Sequence, residues 1–162
     1  MKIPFFQVDA FSSKAFGGNP AAICILNSWL DNDVLQKIAA ENNLSETAFL
    51  VPVPPGNYEL KWFTPTIEID LCGHATLASA FVLFEYYDQD KTVLKFQTTS
   101  GELSVEKSED LLSMNFPARS PVEAKPPEIL AEALGAEATF VLESRDLLAV
   151  FENENHCCLI KL

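Results

Sequence analysis

DLCGHATLASAFVLFEYY, residues 70–87, is the stretch of sequence that decides the fold. Beyond Thr76 it carries no charge before Glu85 and neither glycine nor proline, which predicts an uninterrupted helix. Apolar residues lie on every side of this helix, and a helix without a polar face is normally buried. At about three turns, the helix is too short to cross a membrane. We therefore predict a central helix that packs inside a globular domain.

The first turn of this helix is the candidate functional feature. A strand-like segment ends at Cys72, and Gly73 allows a sharp turn into the helix. The first N–H groups of a helix lack internal partners, and the helix dipole favours negative charge beside them. With His74 next to these groups, the segment is a candidate site for a carboxylate or a phosphate. A core helix with a glycine turn and a hydrogen-bonded histidine fits the same residues.

The composition is that of a globular protein with an acidic surface. Hydrophobic residues make up 48% of the chain, and the net charge is −12. Nucleic acids and anionic membranes bind basic patches, so we expect neither as a partner. Residues 1–6 run into a strand pattern without the apolar core of a signal peptide, which favours a cytoplasmic location. Cys24, Cys72, Cys157 and Cys158 match neither a disulfide framework nor a zinc motif, so we expect reduced thiols and no metal.

Short strands surround the central helix in the predicted order of elements. Before it we expect strands at 3–11, 21–26, 47–53 and 58–62, and a helix that begins with Asp33 as N-cap and ends at Asn42 and Asn43. After it we expect antiparallel strands at 92–98, 101–107 and 111–116. This order predicts an α+β fold, in which a barrel-like, mainly antiparallel sheet wraps around one buried helix.

A proline-rich stretch divides the chain. Residues 117–127 contain four prolines and few apolar residues, which is typical of a linker between domains. We therefore predict a first domain at 1–116, a linker at 117–127 and a further segment at 128–162. That segment reads as a helix ending at Gly135, followed by strands at 139–142 and 147–151.

Four motifs resemble one known family. FGGNPAA at 16–22, NLSETAF at 43–49, WFTP at 62–65 and DLCGHATLA at 70–78 occur in the order and spacing of the phenazine biosynthesis-like (PhzF-type) isomerases, in their N-terminal half. These enzymes share the fold of diaminopimelate epimerase. The resemblance implies two similar domains, each a barrel-like sheet around a central helix, with the active site between them. Under this resemblance, residues 128–162 are the incomplete start of a second such domain.

The resemblance also implies roles for individual residues. Glu46 matches the general acid/base that moves a proton between two carbons of the substrate without a cofactor. Gly73, His74 and Ala75 match the segment that binds the substrate carboxylate, and Asn19 matches the loop that lines the cleft. We therefore expect a cofactor-free and metal-free isomerase of a small carboxylate-bearing substrate. Without the family, Glu46 reads as a solvated acid and Asn19 as a turn residue.

Two alternative functions stay open at this point. No second glycine-rich helix start follows residue 127, and residues 156–162 depart from the family pattern, so the chain is expected to be inactive by itself. It would then be a non-catalytic interaction module, and an exposed half-domain surface favours a homodimer. The other alternative is an amino-acid epimerase that uses thiols, since Cys72 occupies the place of a catalytic cysteine in epimerases of this fold. A small buried structural residue is the simpler reading of Cys72.

Overall fold

The structure is a computed structural model, and it describes residues 2–14, 16–54 and 56–154. The chain divides into two compact units, one of Met1–Phe116 and one that begins at Pro117. None of the helices in the described residues has the length and apolar character needed to cross a membrane.

The first unit contains a curved sheet of eight strands. Its strand order is β1-β2-β3-β4-β6-β7-β8, and β5 pairs with the free part of β4. The β2–β3 and β4–β6 pairs are parallel and the other pairs are antiparallel, so the prediction of a mainly antiparallel sheet is confirmed. The strands are β1 (Phe5–Ala10), β2 (Asn19–Ile25), β3 (Glu46–Val53), β4 (Asn57–Phe63), β5 (Glu68–Ile69), β6 (Val93–Thr98), β7 (Gly101–Ser108) and β8 (Leu111–Asn115).

The concave face of this sheet surrounds the predicted central helix. A first helix, α1 (Asn32–Asn42), connects β2 to β3, and the central helix is α2 (Gly73–Tyr86). Helix α2 contacts β1, β2, β3 and β8, and its alanines at 75, 78 and 80 are almost fully buried. Small side chains let the strands approach the helix closely, and this places the main core between helix and sheet.

Burial of α2 on every side was expected, and this is wrong for one side. Phe81 is 45% exposed and Tyr86 is 64% exposed. The reason lies in the sheet, because β1 and β8 are the two ends of the strand order and do not pair with each other in the described residues. The sheet is therefore a half-barrel, and it leaves one side of the helix uncovered.

Helix α1 lies on the opposite face of the sheet and covers a smaller core. Leu35 and Ala39 from the helix pack there with Phe49 and Phe63, whose rings meet edge to face at 5.6 Å. Because this core exists, the central strands are buried on both faces, which explains their continuous apolar runs. Tyr58, one of the alternating residues that predicted a half-buried strand at β4, is buried on the α2 side.

The start of α1 differs from the prediction by two residues. The N-cap is Asp31, whose carbonyl accepts hydrogen bonds from the N–H groups of Val34 and Leu35. Asp33 lies in the first turn instead, and the Gln36 amide donates to the carbonyl of Thr64 at 2.9 Å. The predicted end is confirmed, since Asn43 closes the helix in the left-handed conformation, with a φ of 51°.

The second unit contains a small antiparallel sheet and a short helix. Its strand order is β11-β10-β9, and the elements are β9 (Val122–Ala124), α3 (Leu130–Leu134), β10 (Phe140–Glu143) and β11 (Leu147–Val150). Strand β9 lies inside the stretch predicted as a linker, where it pairs with β10. Gly135 ends α3 at a φ of 69°, as expected for a helix that stops at glycine. The predicted departure from the family pattern at 156–162 falls outside the described residues.

Candidate active site

The parallel pairing of β2 and β3 places two of the predicted site residues at one edge of the sheet. Asn19 begins β2 and Glu46 begins β3, and the register pairs Ala21 with Glu46. The Ser45 hydroxyl donates a hydrogen bond to Oδ1 of Asn19 at 3.1 Å. This contact fixes the Asn19 amide next to the residue that precedes Glu46.

The start of α2 has no side-chain cap of regular geometry. The N-cap residue, Cys72, has an extended backbone (φ −145°, ψ 123°) and forms no side-chain capping hydrogen bond. Thr76 donates its hydroxyl to the Cys72 carbonyl at 2.5 Å, which fixes the first turn without using an amide. The N–H groups at this helix end lack partners inside the helix, and those of His74 and Ala75 lie close to the Cys72 sulfur.

Glu46 and His74 meet beneath this helix end. Glu46 Oε2 lies 3.1 Å from His74 Nε2, and the two side chains are 17% and 8% exposed. Both atoms are buried, and neither has a hydrogen-bond partner of regular geometry among the described residues. Hydrogen bonds in ligand-free active sites are often misaligned and tighten when substrate binds. The geometry is that of an acid and an imidazole in contact.

The environment of His74 favours the neutral imidazole. Burial lowers the pKa of the imidazole, because it penalises the charged form, while the Glu46 carboxylate partly opposes the shift. A neutral imidazole carries one N–H donor and one acceptor nitrogen, whereas an imidazolium carries two donors. His74 can therefore donate to one neighbour and accept from another.

Cys72 contacts the other nitrogen of the same ring. Its Sγ lies 3.5 Å from His74 Nδ1, and both residues are buried. Burial raises the pKa of the Cys72 thiol to about 12; the nearby amides of Ala75 and His74 lower it, and the Glu46 charge raises it further. Cys72 is therefore a protonated thiol at neutral pH.

The same three side chains form the one group in the described part of the chain that is arranged closely enough to hold a metal ion. The ligand atoms of Glu46, Cys72 and His74 lie within 4.8 Å of one another. The carboxylate faces Nε2 and the sulfur faces Nδ1, so the two groups contact different nitrogens of the ring. As it stands, the arrangement is a chain of contacts from thiol to imidazole to carboxylate.

Phe11 is a neighbour of the site that sequence reasoning missed. Its ring centroid lies 6.4 Å from that of His74, and the side chain is 72% exposed. The backbone of Phe11 is left-handed, with a φ of 66°, which is unusual for a bulky residue. The sequence does not predict this conformation, because left-handed turn positions normally carry glycine or asparagine.

Two concavities of the described residues lie away from this cluster. One, of about 370 Å³, is lined by Trp29, Lys61 and Thr98 among others, and one of about 220 Å³ lies in the second unit beside Pro126. Neither contains Glu46 or His74.

The structure brings the predicted site residues together to different degrees. Glu46 and His74 are in contact, and Gly73 and Ala75 flank His74 in the first turn of α2. Asn19 lies on the same sheet edge and is linked to Ser45, the residue before Glu46. Their roles toward a substrate stay predictions.

Comparison with known proteins shows which family the chain resembles. The family model for phenazine biosynthesis-like proteins (PhzC-PhzF) matches residues 8–156. An uncharacterized isomerase of Pseudomonas aeruginosa is 53% identical over 154 residues, which are 95% of this chain and 59% of that protein. A phenazine biosynthesis-like domain-containing protein of Bos taurus is 51% identical over 124 residues, or 72% of this chain and 43% of that protein. The chain thus spans well under two thirds of the length of these relatives.

Solved structures share the fold. A PhzF-family phenazine biosynthesis protein of Enterococcus faecalis has 45% identity and a TM-score of 0.89, over 99% of this chain and 62% of that one. A predicted epimerase of Pseudomonas aeruginosa, with 20% identity and a TM-score of 0.70 over 87% of this chain and 56% of that one, shares the fold alone. The expected fold, a diaminopimelate-epimerase-like half-barrel, is confirmed. With a family model that matches most of its length, the chain belongs to the phenazine biosynthesis-like (PhzF) family, whose curated relatives include isomerases.

Proposed function

We propose that this chain supplies one half of the active site of a cofactor-independent isomerase, in which Glu46 transfers a proton between two carbons of a small carboxylate. The contact between Glu46 Oε2 and His74 Nε2 at the start of α2 carries the proposal. It sets a proton acceptor beside a helix end that favours a negatively charged group, as the reaction requires.

Glu46 suits the role of general acid/base by its position. The carboxylate is mostly buried, yet its contact at Oε2 is a neutral imidazole and not a lysine or arginine that would hold it as an anion. A carboxylate in such a setting can accept a proton from carbon and return it to another carbon of the same substrate. No electron leaves the substrate, so the isomerisation needs no redox cofactor.

The neighbouring thiol is a weaker candidate for the same step. Thiol-dependent epimerisation requires a thiolate as the base, and Cys72 is a buried thiol with a pKa of about 12. At neutral pH the protonated thiol of Cys72 therefore lacks the charge that this step requires.

The substrate carboxylate is proposed to bind at the first turn of α2, over Gly73. The φ of this glycine lies outside the left-handed region, so the backbone does not require it. A Cβ at this position would meet only Met114 Cε at 3.7 Å and Phe116 Cζ at 3.9 Å, which are ordinary contacts. Packing does not require a glycine here either. The missing side chain leaves room for a ligand to reach the N–H groups of His74 and Ala75.

Gly73→Ala is therefore expected to separate binding from stability. The free energy of unfolding should hold or rise by up to about 1 kcal/mol, since alanine favours a helix more than glycine does. Binding of acetate, lactate or benzoate should weaken by about 1–3 kcal/mol, the range for a hydrogen bond to a charged group. Urea unfolding and titration calorimetry measure the two quantities.

Gly101→Ala is the matched control for this substitution. Gly101 has a φ of 101°, which strains any L-residue, and nothing lies within 4 Å of an added Cβ. We expect this variant to lose stability and to keep carboxylate binding. Equal carboxylate affinity in wild type and Gly73→Ala would contradict the assigned binding site.

Solvent deuterium exchange tests the proposed function as a whole. The chain is incubated in D₂O with unsaturated and α-amino carboxylates, and NMR detects deuterium at carbon. One arm uses the chain alone. A second arm adds the portion of the Enterococcus faecalis relative that extends beyond the matched 62%. We expect exchange in the second arm and little in the first, because two domains that enclose a substrate position it and exclude water.

The outcomes of this assay separate the alternatives. Strong exchange by the chain alone would show that the second portion is not needed for catalysis. No exchange in either arm, together with a dimeric mass in solution, would favour a non-catalytic interaction module over the isomerase.

A further inference from the structure

The imidazole of His74 is held between two different groups. Sγ of Cys72 lies 3.5 Å from Nδ1, and Oε2 of Glu46 lies 3.1 Å from Nε2. The three residues come from two elements, since Glu46 begins β3 while Cys72 and His74 lie at the start of α2. The contacts therefore form a line that runs from the thiol through the ring to the carboxylate.

One arrangement of protons satisfies all three groups with Glu46 as an accepting carboxylate. A thiol can donate its proton to Nδ1, and the ring can then direct its own N–H from Nε2 toward the carboxylate. The opposite tautomer would place the Nδ1 proton against the thiol and the Nε2 lone pair against the negative Oε2. Buried polar groups that face each other in this way are costly.

We propose that Cys72 is a positioning residue for His74: its thiol donates to Nδ1 and keeps the imidazole proton on Nε2, toward Glu46. The contact also favours the neutral ring, because a proton on Nδ1 would replace the S–H donation by a bond to sulfur, which is a weak acceptor. Together with burial, the thiol thereby favours a neutral donor beside Glu46 over a positive charge. This catalytic consequence rests on the proposed function, whereas the position of the proton does not.

The titratable neighbours of His74 are few in the described part of the chain. Glu46 faces it from β3 and Cys72 faces it from the residue before α2, while Phe11, next to the end of β1, contributes an uncharged ring. Glu46 favours the imidazolium through its charge. The thiol is therefore the neighbour whose removal should raise the pKa of His74.

Nitrogen-15 NMR on the intact chain reads this arrangement directly. The sequence contains two histidines, so His156→Gln leaves His74 as the single imidazole. In this background we expect Nε2 to carry the proton at neutral pH. Cys72→Ala should raise the pKa of His74 by about 0.5–1 unit, which corresponds to one ordinary hydrogen bond. Cys72→Ser keeps an O–H donor and should hold the pKa near the wild-type value.

Cys24→Ala is the control for loss of a buried thiol. Cys24 is 2% exposed and belongs to the core on the other face of the sheet, so its removal should leave the titration of His74 unchanged. An equal rise in Cys72→Ala and Cys24→Ala would overturn the inference, as would an equal rise in Cys72→Ala and Cys72→Ser. A proton on Nδ1 in the chain with Cys72 unchanged would also overturn the inference. The nitrogen-15 spectrum shows this without any substitution at Cys72. These measurements need no substrate, so they succeed or fail independently of the proposed isomerase activity.

Discussion

Glu46→Gln is expected to lower the rate of deuterium exchange in the complemented assay by about 10²–10⁴-fold, the usual contribution of a positioned general base. The amide has nearly the same shape as the carboxylate but cannot take a proton from carbon. Glu46 is also mostly buried at the edge of the sheet, so water cannot easily substitute for it. Carboxylate binding at α2 should persist in this variant, because the N–H groups of the helix are unchanged. NMR detection of deuterium gives the rate, and calorimetry gives the affinity.

Glu106→Gln is the matched control for this substitution. Glu106 is an exposed acid on β7, and its replacement should leave exchange unchanged. Exchange that survives Glu46→Gln but disappears in Cys72→Ala would transfer the proton-transfer step to the thiol. Exchange that falls equally in both glutamate variants would indicate a general electrostatic effect instead of a local base.

Phe96→Ala is expected to lower the free energy of unfolding of the first unit by about 3–5 kcal/mol. Phe96 is fully buried on β6 in the main core, where its ring lies 6.2 Å from that of Tyr58. Removing the ring loses its burial and leaves a cavity that the surrounding residues fill only in part. Urea unfolding followed by tryptophan fluorescence reports on this unit, because both tryptophans, Trp29 and Trp62, belong to it.

Phe81→Ala removes the same side chain from the uncovered side of α2. Phe81 is 45% exposed, so its loss should cost much less stability than the loss of Phe96. Equal costs at the two positions would show that the exposed side of the helix is packed in solution, either against other residues of the chain or against a second copy.

Local periodicity made much of the first unit predictable. The alternation around Tyr58 and Trp62 identified β4, because one face of that strand is buried more deeply than the other. The apolar run after Thr76 identified α2, because a helix that lacks a polar face is normally buried. The motifs at Glu46 and His74 identified the two side chains that the structure places in contact.

The remaining features depend on contacts between distant residues. A proline-rich segment gives no local signal for β9, whose pairing with β10 is decided by tertiary structure. Asp31 and Asp33 both suit the N-cap of α1 by residue type. Which of them caps the helix depends on whose carbonyl accepts the first helical hydrogen bonds. The place of Phe11 beside His74 requires a left-handed backbone that its residue type disfavours. Cys72 was recognised as small and buried, but its contact with Nδ1 depends on the rotamer of the histidine.

The parallel pairing of β4 with β6 has a consequence for how the chain reaches this structure. Tyr58 lies beside Phe96, so β5 and the whole of α2 form a loop that must close before these strands can pair. Closing a long loop lowers the conformational entropy of the chain before the contacts that offset this loss have formed. Proteins rich in such non-local pairs fold in about milliseconds to seconds instead of microseconds. Because α2 lies within this loop, we expect the pairing of β4 with β6 to form together with the packing of α2 against the sheet. The contact between Glu46 and His74 likewise depends on tertiary packing, since the two residues lie on β3 and α2.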